Sequence, residues 1–454
     1  MKVLIVSGEY PPMKGGVGRY TKNLVYALAK KPDVEVSVAI GSDAAAADAD
    51  AESDAPPRPA LLTNDPTRET DSVTTVYRGT VRKGDKRNSD RILQIVSEIK
   101  PDVVNIQYER GLYEVDTTIK HTFWRLVHGS TLDRFYKMCP VPTVSTLHTV
   151  FPQDEYSAYI KDRALRKEGR FGFLPLPLRA AIRRWVMKQR YELLLQVVNQ
   201  SDGVISPART LQEVVRRGTV IYHGAEPAIE FSSGSSLTID KKKEFRKTFG
   251  LPVDKMLLLA FGFAGSYKGF DVLGGLSLPN GWSFVIKQTK HERGFERPIE
   301  FRKNNGDNLI SLNLGYLDEK EMSKLFFACD AIIFPYTIVS ISGVMFDALA
   351  HGLPFIASDL RFFKEFADMG LGIVCKRTTQ SFERSILTLA LDYDKYKTTV
   401  EEFRPKLRWS NIANKHIEFF SGLISQYNKN NESAATKYEN STTKQQRTTD
   451  ELTK

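Results

Sequence analysis

Some places along the chain join residue type and position in ways that chemistry can use. The apolar run Lys2-Val3-Leu4-Ile5-Val6 leads into Gly8-Glu9-Tyr10-Pro11-Pro12-Met13-Lys14-Gly15-Gly16-Val17-Gly18-Arg19-Tyr20, and a helical pattern follows at once. Adjacent glycines let backbone approach a phosphate, and free amides at a helix start bind anions, so Gly15 and Gly16 read as an anion-binding turn. A turn kept glycine-rich for packing alone is the other reading. The spacing is neither GxGxxG nor a Walker loop, which removes the main support for a nicotinamide or ATP site. His148 follows the apolar Val144-Ser145-Thr146-Leu147. There an imidazole can hydrogen-bond a hydroxyl and orient reacting groups, or simply be a buried histidine satisfied by backbone. Glu109 sits similarly after Asp102-Val103-Val104-Asn105-Ile106. It is suited either to positioning or deprotonating a hydroxyl or to a salt bridge with Arg110 or a nearby lysine. Asp347 lies just inside a helix opened by Ser342-Gly343, as a ligand contact or as a solvated helix residue.

These residues need elements to hold them, and the sequence supplies an alternation. In the first third, short apolar runs (Val3 to Val6, Glu35 to Ile40, Asp102 to Ile106, Val144 to Leu147) alternate with helical patterns from Arg19 to Lys30 and Arg91 to Ile99. Asp202 to Ser206 and Val220 to Tyr222 supply further strands. A second alternating series runs through Leu257 to Phe261, Trp282 to Ile286, Leu309 to Leu312, Ala331 to Phe334 and Pro354 to Ala357, the last clear strand. Such alternation predicts helices packed on mostly parallel sheets, which bind ligands beyond the carboxyl ends of their strands. At 454 residues the chain exceeds one ordinary core, so two domains and a cleft between them are expected. The polar passage from Phe231 to Lys243 reads as the linker.

Composition narrows the classes. With 41% hydrophobic and 26% charged residues the chain reads as globular rather than disordered or fibrous. No window approaches the roughly 20 apolar residues of a spanning helix, and Met1 opens onto a strand-length run without a signal-peptide h-region, so a cytoplasmic protein is expected. Cys139, Cys329 and Cys375 form no CxxC pair and lack zinc-ligand spacing to histidine, so no metal site is expected. The net charge of +10 favours anionic partners. No zinc finger, RNP-type aromatic motif or other nucleic-acid signature accompanies it, so no nucleic-acid role is expected. The stretch from about 42 to 72 is an acidic, Ala- and Pro-rich loop, and the polar residues from Asn428 onward read as a disordered tail.

The order of motifs is similar to that of glycosyltransferase family 4, a group of retaining GT-B enzymes. Tyr-Pro-Pro followed by Gly-Gly-Val-Gly resembles the family's opening, whose Gly-Gly loop lies near the donor diphosphate. Asp102 to Tyr113 resembles its strand ending in Gln-x-Glu, and Pro142 to His148 the strand that delivers an active-site histidine. Ile221-Tyr222-His223-Gly224 resembles the turn closing the first domain. Gly262 to Gly269 resembles the loop that presents a lysine, here Lys268, to the donor phosphates. Ser340 to Asp359, followed by Phe363-Lys364-Glu365, is the strongest match. The resemblance implies diphosphate contacts from the amides of Ser342, Gly343 and Val344 and a ribose contact from Asp347. Arg408-Trp409-Ser410 resembles the start of a terminal helix that crosses back to the first domain.

The resemblance implies an α/β chain of two doubly wound Rossmann-like domains facing across a cleft. The expected boundaries are 1–228 for an acceptor-side domain, 229–402 for a nucleotide-sugar domain, 403–427 for the crossing helix and 428–454 for the tail. The implied activity is a retaining hexosyltransferase with a nucleotide-diphosphate sugar, UDP- or GDP-linked, and a glycan or lipid-linked acceptor. His148, Lys268 and Glu109 carry the catalytic roles; Gly15, Gly16, Lys268, Ser342, Gly343, Val344 and Asp347 carry the donor. No metal is implied, because GT-B folds stabilise the leaving diphosphate with positive charge and oriented dipoles. Asp48-x-Asp50 falls in the acidic loop and Asp392-x-Asp394 in a helical pattern, so both read as chance matches to a metal motif. Two departures stand out. The first of the family's two glutamates falls near Val339 or Ser340, and the arginine upstream of the lysine is replaced by Phe263 or Gly265. Lys287, at the end of the next strand, is a substitute cation or an exposed strand-end lysine. Binding without turnover and a nucleotide-sugar 2-epimerase are the alternative activities.

The segment from about 161 to 200 is basic: Lys161 to Arg190 holds ten basic and two acidic residues. Helical spacing places Leu178, Ile182, Trp185, Val186 and Leu193 near one face, with Arg179, Arg183, Arg184, Lys188 and Arg190 largely elsewhere. This pattern suits either peripheral contact with an anionic membrane or a core helix with a basic solvent face.

Overall fold

In the computed structural model, residues 1–13, 15–41, 67–70, 74–114, 130–165, 175–229, 238–289 and 309–452 are described. The acidic loop, Asp48 to Asp50, and most of the Phe231 to Lys243 passage lie outside them. By compactness the chain divides into two units: Met1–Thr146, Glu192–Ile205 and Ala413–Lys454 form the first, Leu147–Tyr191 and Ser206–Ile412 the second.

The first sheet contains β1 (Lys2–Ser7), β2 (Glu35–Gly41), β3 (Thr67–Thr70), β4 (Thr75–Val81), β5 (Val103–Tyr108), β6 (Thr143–Leu147), β7 (Gly203–Ser206) and β8 (Thr219–Val220), in the order β3-β4-β2-β1-β5-β6-β7-β8. Strand β1 pairs in parallel with both β2 and β5, and only β3 against β4 is antiparallel among the registered pairs. A central parallel strand is covered on both faces, which is why Val3, Leu4, Ile5 and Val6 are all buried. The sheet order turns at β1. Its carboxyl end, and that of β5 beside it, is the switch point at which such sheets bind ligands.

The second sheet contains β9 (Met256–Phe263), β10 (Trp282–Thr289), β11 (Leu309–Ser311), β12 (Ala331–Phe334), β13 (Phe355–Ser358) and β14 (Gly372–Cys375), all parallel, in the order β11-β10-β9-β12-β13-β14. Its core packs Leu258, Phe284 and Ile333 against Phe382, Ile386 and Leu389 of the helix Thr379–Leu391. The switch point here lies at the ends of β9 and β12. Strand β14 extends the expected set. Its four residues are too short for a period to show, and they form a strand because β13 offers an open ladder at Phe355 to Ser358.

The polar tail departs from expectation, because one helix runs from Trp409 to Leu452. A segment with little to bury can still satisfy its backbone locally, and Lys, Glu, Gln and Ala favour doing so. Its first turns are anchored by buried Ile412, Ala413, His416 and Phe420. Phe419 and Leu423 pack against Gly203 so closely that a Cβ there would come within 2.9 Å of either side chain.

Candidate functional site

At the second switch point, two loops are fastened together. After β9 a single 3-10 turn, Ser266–Lys268, ends at Gly269, whose φ of +65° and whose approach to the next loop both demand glycine. A Cβ on Gly269 would lie 2.0 Å from the Pro335 carbonyl oxygen. Thr337 N–H donates to the Tyr267 carbonyl at 2.9 Å. Arg377 clamps both loops, donating from Nε to Pro335 O at 2.9 Å and from a terminal nitrogen to Gly269 O at 3.2 Å, while also pairing with Asp271.

This fastening sets Lys268. The side chain is 7% exposed, its Nζ donates to the Tyr336 hydroxyl at 2.5 Å, and it lies 4.0 Å from the Tyr336 ring centroid and 5.2 Å from that of Tyr267. Burial lowers its pKa, an effect that Tyr267 partly offsets. No carboxylate pairs with Lys268 among the described residues. Burial raises the Tyr336 phenol pKa well above the ordinary value, an effect that the neighbouring Ser342 hydroxyl partly offsets.

Ser342 is the N-cap of the helix Gly343–Ala350, its hydroxyl accepting from Met345 N–H at 3.3 Å. The first-turn amides of Gly343 and Val344 have no acceptor among the described residues, as the start of a helix leaves them. Lys268 with Tyr336, and beside them a helix start with free amides at Ser342, make a cationic and amide-lined corner suited to an anion. Asp347, on the same helix, is 5% exposed, which removes the reading of a solvated helix residue. Its carbonyl accepts from His351 Nδ1 at 2.6 Å, and His351 Nε2 meets the Ser323 hydroxyl at 2.6 Å.

His148 belongs to the same unit. It is 6% exposed, and burial pushes its imidazole down to about 3, so the ring is neutral at ordinary pH. Ser340, one of the two positions expected for the missing first glutamate, accepts the Val150 N–H at 2.7 Å and donates to the His148 carbonyl at 3.4 Å. Lys287 is fully buried, which corrects its reading as an exposed strand-end lysine. Its Nζ donates to Thr289 Oγ1 at 2.6 Å, and burial lowers its pKa.

At the first switch point the glycine-rich loop is built around a carboxylate of the chain itself. Gly18 N–H donates to Glu9 Oε2 at 3.1 Å, and a Cβ on Gly15 would lie 1.9 Å from that carboxylate. A side chain at Gly15 would therefore displace the Glu9 carboxylate, whereas a Cβ on Gly16 would meet nothing within 4 Å. Glu109 is half-buried at the end of β5, where it is the N-cap residue of the helical turn Arg110–Tyr113. Gly8 admits that turn: its Cβ would sit 2.6 Å from the Leu112 Cβ.

In the basic segment, residues 166–174, with Phe171, Phe173 and Leu174, lie outside the described ones. The helix Leu176–Gln200 turns Leu176, Leu178 and Trp185 outward, at 40%, 48% and 36% exposure, while Arg179 is buried and Arg190 donates to the Tyr156 hydroxyl at 3.0 Å. Of the two readings, the core helix with a basic solvent face is thus not what the N-terminal half shows. Among the described residues no group of His, Cys, Asp or Glu is placed to hold a metal ion, and no helix is long and apolar enough to cross a membrane. Asp392 and Asp394 sit at the junction of two helices.

Sequence reasoning passed over Tyr336, Arg377, Ser340 and Glu9. Tyr336 carried a usable signal, standing two residues beyond an apolar strand in a sheet that binds ligands there. Arg377 and Ser340 are ordinary residue types whose importance rests on distant partners, and Glu9 acts on the amide of its own loop.

No protein-family model and no curated protein matches the sequence. Solved structures match throughout its length. Sucrose-phosphate synthase from Thermosynechococcus elongatus is 13% identical, with 94% of this chain and 99% of that chain covered and a TM-score of 0.60. HepE from Anabaena, in complex with UDP-glucose, is 14% identical over 93% of this chain and all of that one, with a TM-score of 0.55. The catalytic domain of starch synthase IV from Arabidopsis thaliana, bound to ADP and acarbose, is 15% identical over 93% and 99%, with a TM-score of 0.53. The chain has the GT-B fold of two Rossmann-like domains.

Proposed function

We propose that this protein is a glycosyltransferase of the family-4 kind, moving a hexose-type sugar with retention from a nucleotide-diphosphate sugar to a glycan or lipid-linked acceptor. The observation that carries the reading is the buried Lys268 ammonium, without a carboxylate partner among the described residues and held by the hydroxyl of Tyr336, which shortly precedes a helix that opens at Ser342 with free amides. As the glycosidic bond breaks, the departing diphosphate gains negative charge, and a fixed cation with oriented amides stabilises it. Asp347 accepts the ribose hydroxyls, and neutral His148 hydrogen-bonds a donor-sugar hydroxyl. Glu109 positions the acceptor hydroxyl, and Gly16 is the glycine of the glycine-rich loop left open to a phosphate, Gly15 being taken up by the Glu9 carboxylate. UDP-glucose in HepE and ADP in starch synthase IV support a nucleotide-linked donor while leaving uridine, guanosine and adenosine to be compared.

The outward Leu176, Leu178 and Trp185 beside exposed Arg184 and Lys188 support peripheral contact with an anionic membrane, which suits a lipid-linked acceptor on the cytoplasmic side. One observation favours binding without turnover as a second reading. Neither Val339, which is buried, nor Ser340, which is engaged with Val150, brings an acid to the donor sugar.

Thermal stabilisation by UDP, GDP, ADP and their sugar conjugates tests the donor site. A ligand at 100 times its dissociation constant stabilises by about 2.7 kcal/mol. The reading expects a shift with one nucleotide family that disappears in Lys268→Ala and Asp347→Ala; a well-folded protein that responds to none of them refutes it.

A further inference from the structure

We propose that Tyr336 is the positioning residue for Lys268, its hydroxyl and ring face holding the ammonium in place where a buried lysine would ordinarily need a carboxylate. The inference rests on the nucleotide-sugar reading and adds a residue to that site.

A buried cation is costly unless it is paired or hydrogen-bonded, and the usual partner is an acid. An acid here would compete with the very anion the corner is suited to receive. A phenol avoids the conflict. Its oxygen accepts from Nζ at 2.5 Å, its ring face lies 4.0 Å from the same nitrogen, and it stays neutral because burial holds the proton on. The ammonium is thus fixed with its charge intact.

The phenol is itself held from several sides. The Ser342 hydroxyl is its polar neighbour. Its ring makes edge contacts with Phe334 and Phe363, both with centroids 5.5 Å away, and with Tyr267 at 6.2 Å. These contacts leave the hydroxyl little choice of position, and Lys268 inherits that order. The ring's packing also makes Tyr336→Phe a mild change, which keeps the aromatic cluster and removes one oxygen.

The test is a double-mutant cycle read by calorimetric binding of UDP, GDP and ADP, with the corresponding nucleosides as phosphate-free controls. Tyr336→Phe should weaken the nucleoside diphosphate that wild type binds by about ten-fold, the size expected for a hydrogen bond to a charged group. Nucleoside affinity should be unchanged, and the same substitution should have no further effect in a Lys268→Met background. Tyr336→Leu, which removes the hydroxyl and the ring face together, should give a larger loss with the same dependence on Lys268, and it serves as the arm should Tyr336→Phe fold poorly. Wild-type affinity in Tyr336→Phe, with Lys268→Met impaired, overturns the inference and leaves the donor site standing. So does an equal loss from Tyr336→Phe with and without Lys268. If Lys268→Met binds like wild type, or no nucleoside diphosphate binds wild type, the donor-site reading fails and takes this inference with it.

Discussion

Ser340 Oγ accepts the backbone N–H of Val150, 190 residues earlier in the chain, at 2.7 Å, and donates onward to the carbonyl of His148. One hydroxyl therefore fixes the backbone of the His148 turn to the segment that precedes the Ser342 helix. Val150 is 1% exposed, so its amide has no solvent to turn to.

Ser340→Ala should accordingly destabilise the protein by about 1–3 kcal/mol, the cost of leaving a buried donor without its partner. Urea unfolding measures it. Nucleotide-sugar affinity should fall along with stability, because the His148 turn loses its fastening. An unchanged unfolding midpoint would mean that Val150 finds another acceptor.

His148 makes stability depend on acid. Its folded pKa, about 3, lies below the ordinary histidine value of about 6.5, so the unfolded chain binds the extra proton between those limits. The contribution is fully present above about pH 6.5 and is lost as pH falls toward 3. In His148→Asn the slope of unfolding free energy against pH across that window should be shallower by about one proton. Parallel slopes in the two proteins would show that His148 is accessible to protonation in the folded state.

Gly269 carries two constraints at once, a positive φ and contact with Pro335. Gly269→Ala should cost about 1–3 kcal/mol for the backbone conformation alone, with the clash adding to it. Because the same turn delivers Lys268, nucleotide binding should weaken beyond what the loss of stability explains. Calorimetry well below the melting temperature separates the two effects.

Lys268 should give donor binding an alkaline limit. Its folded pKa is lowered by burial, and only the protonated form attracts a diphosphate, so affinity is highest below that pKa and falls as pH rises through it, short of the ordinary lysine range. Binding measured from pH 6 upward should show the fall in wild type, and the residual affinity of Lys268→Met should lack it.

The parts legible in the sequence were those with local signatures. An apolar run followed at once by glycines or by Ser-Gly announced a strand, a turn and a helix start, which is how β1, β9 and the Ser342 helix could be placed. Tyr336 became important only because β12 lies beside β9, an adjacency that strand-length patterns do not encode. Arg377 is further removed, reaching Pro335 and Gly269 from the end of a strand four residues long. Glu9 shows a different limit. A glycine-rich turn before a helix signals that an anion approaches, and here a carboxylate two residues beyond β1 occupies the amide of Gly18. The polar tail shows the opposite error, since a lack of apolar residues argues against a core and says little about a helix bonded within itself.

The most direct measurement is nucleoside diphosphate release from UDP-, GDP- and ADP-sugars, with and without an extract of lipid-linked and free glycans, in wild type and Lys268→Ala. Release from the sugars of one nucleotide, faster with acceptor present and lost in Lys268→Ala, is the expected result. Tight binding of a nucleotide sugar without release under any acceptor condition, or release unaffected by Lys268→Ala, would contradict it.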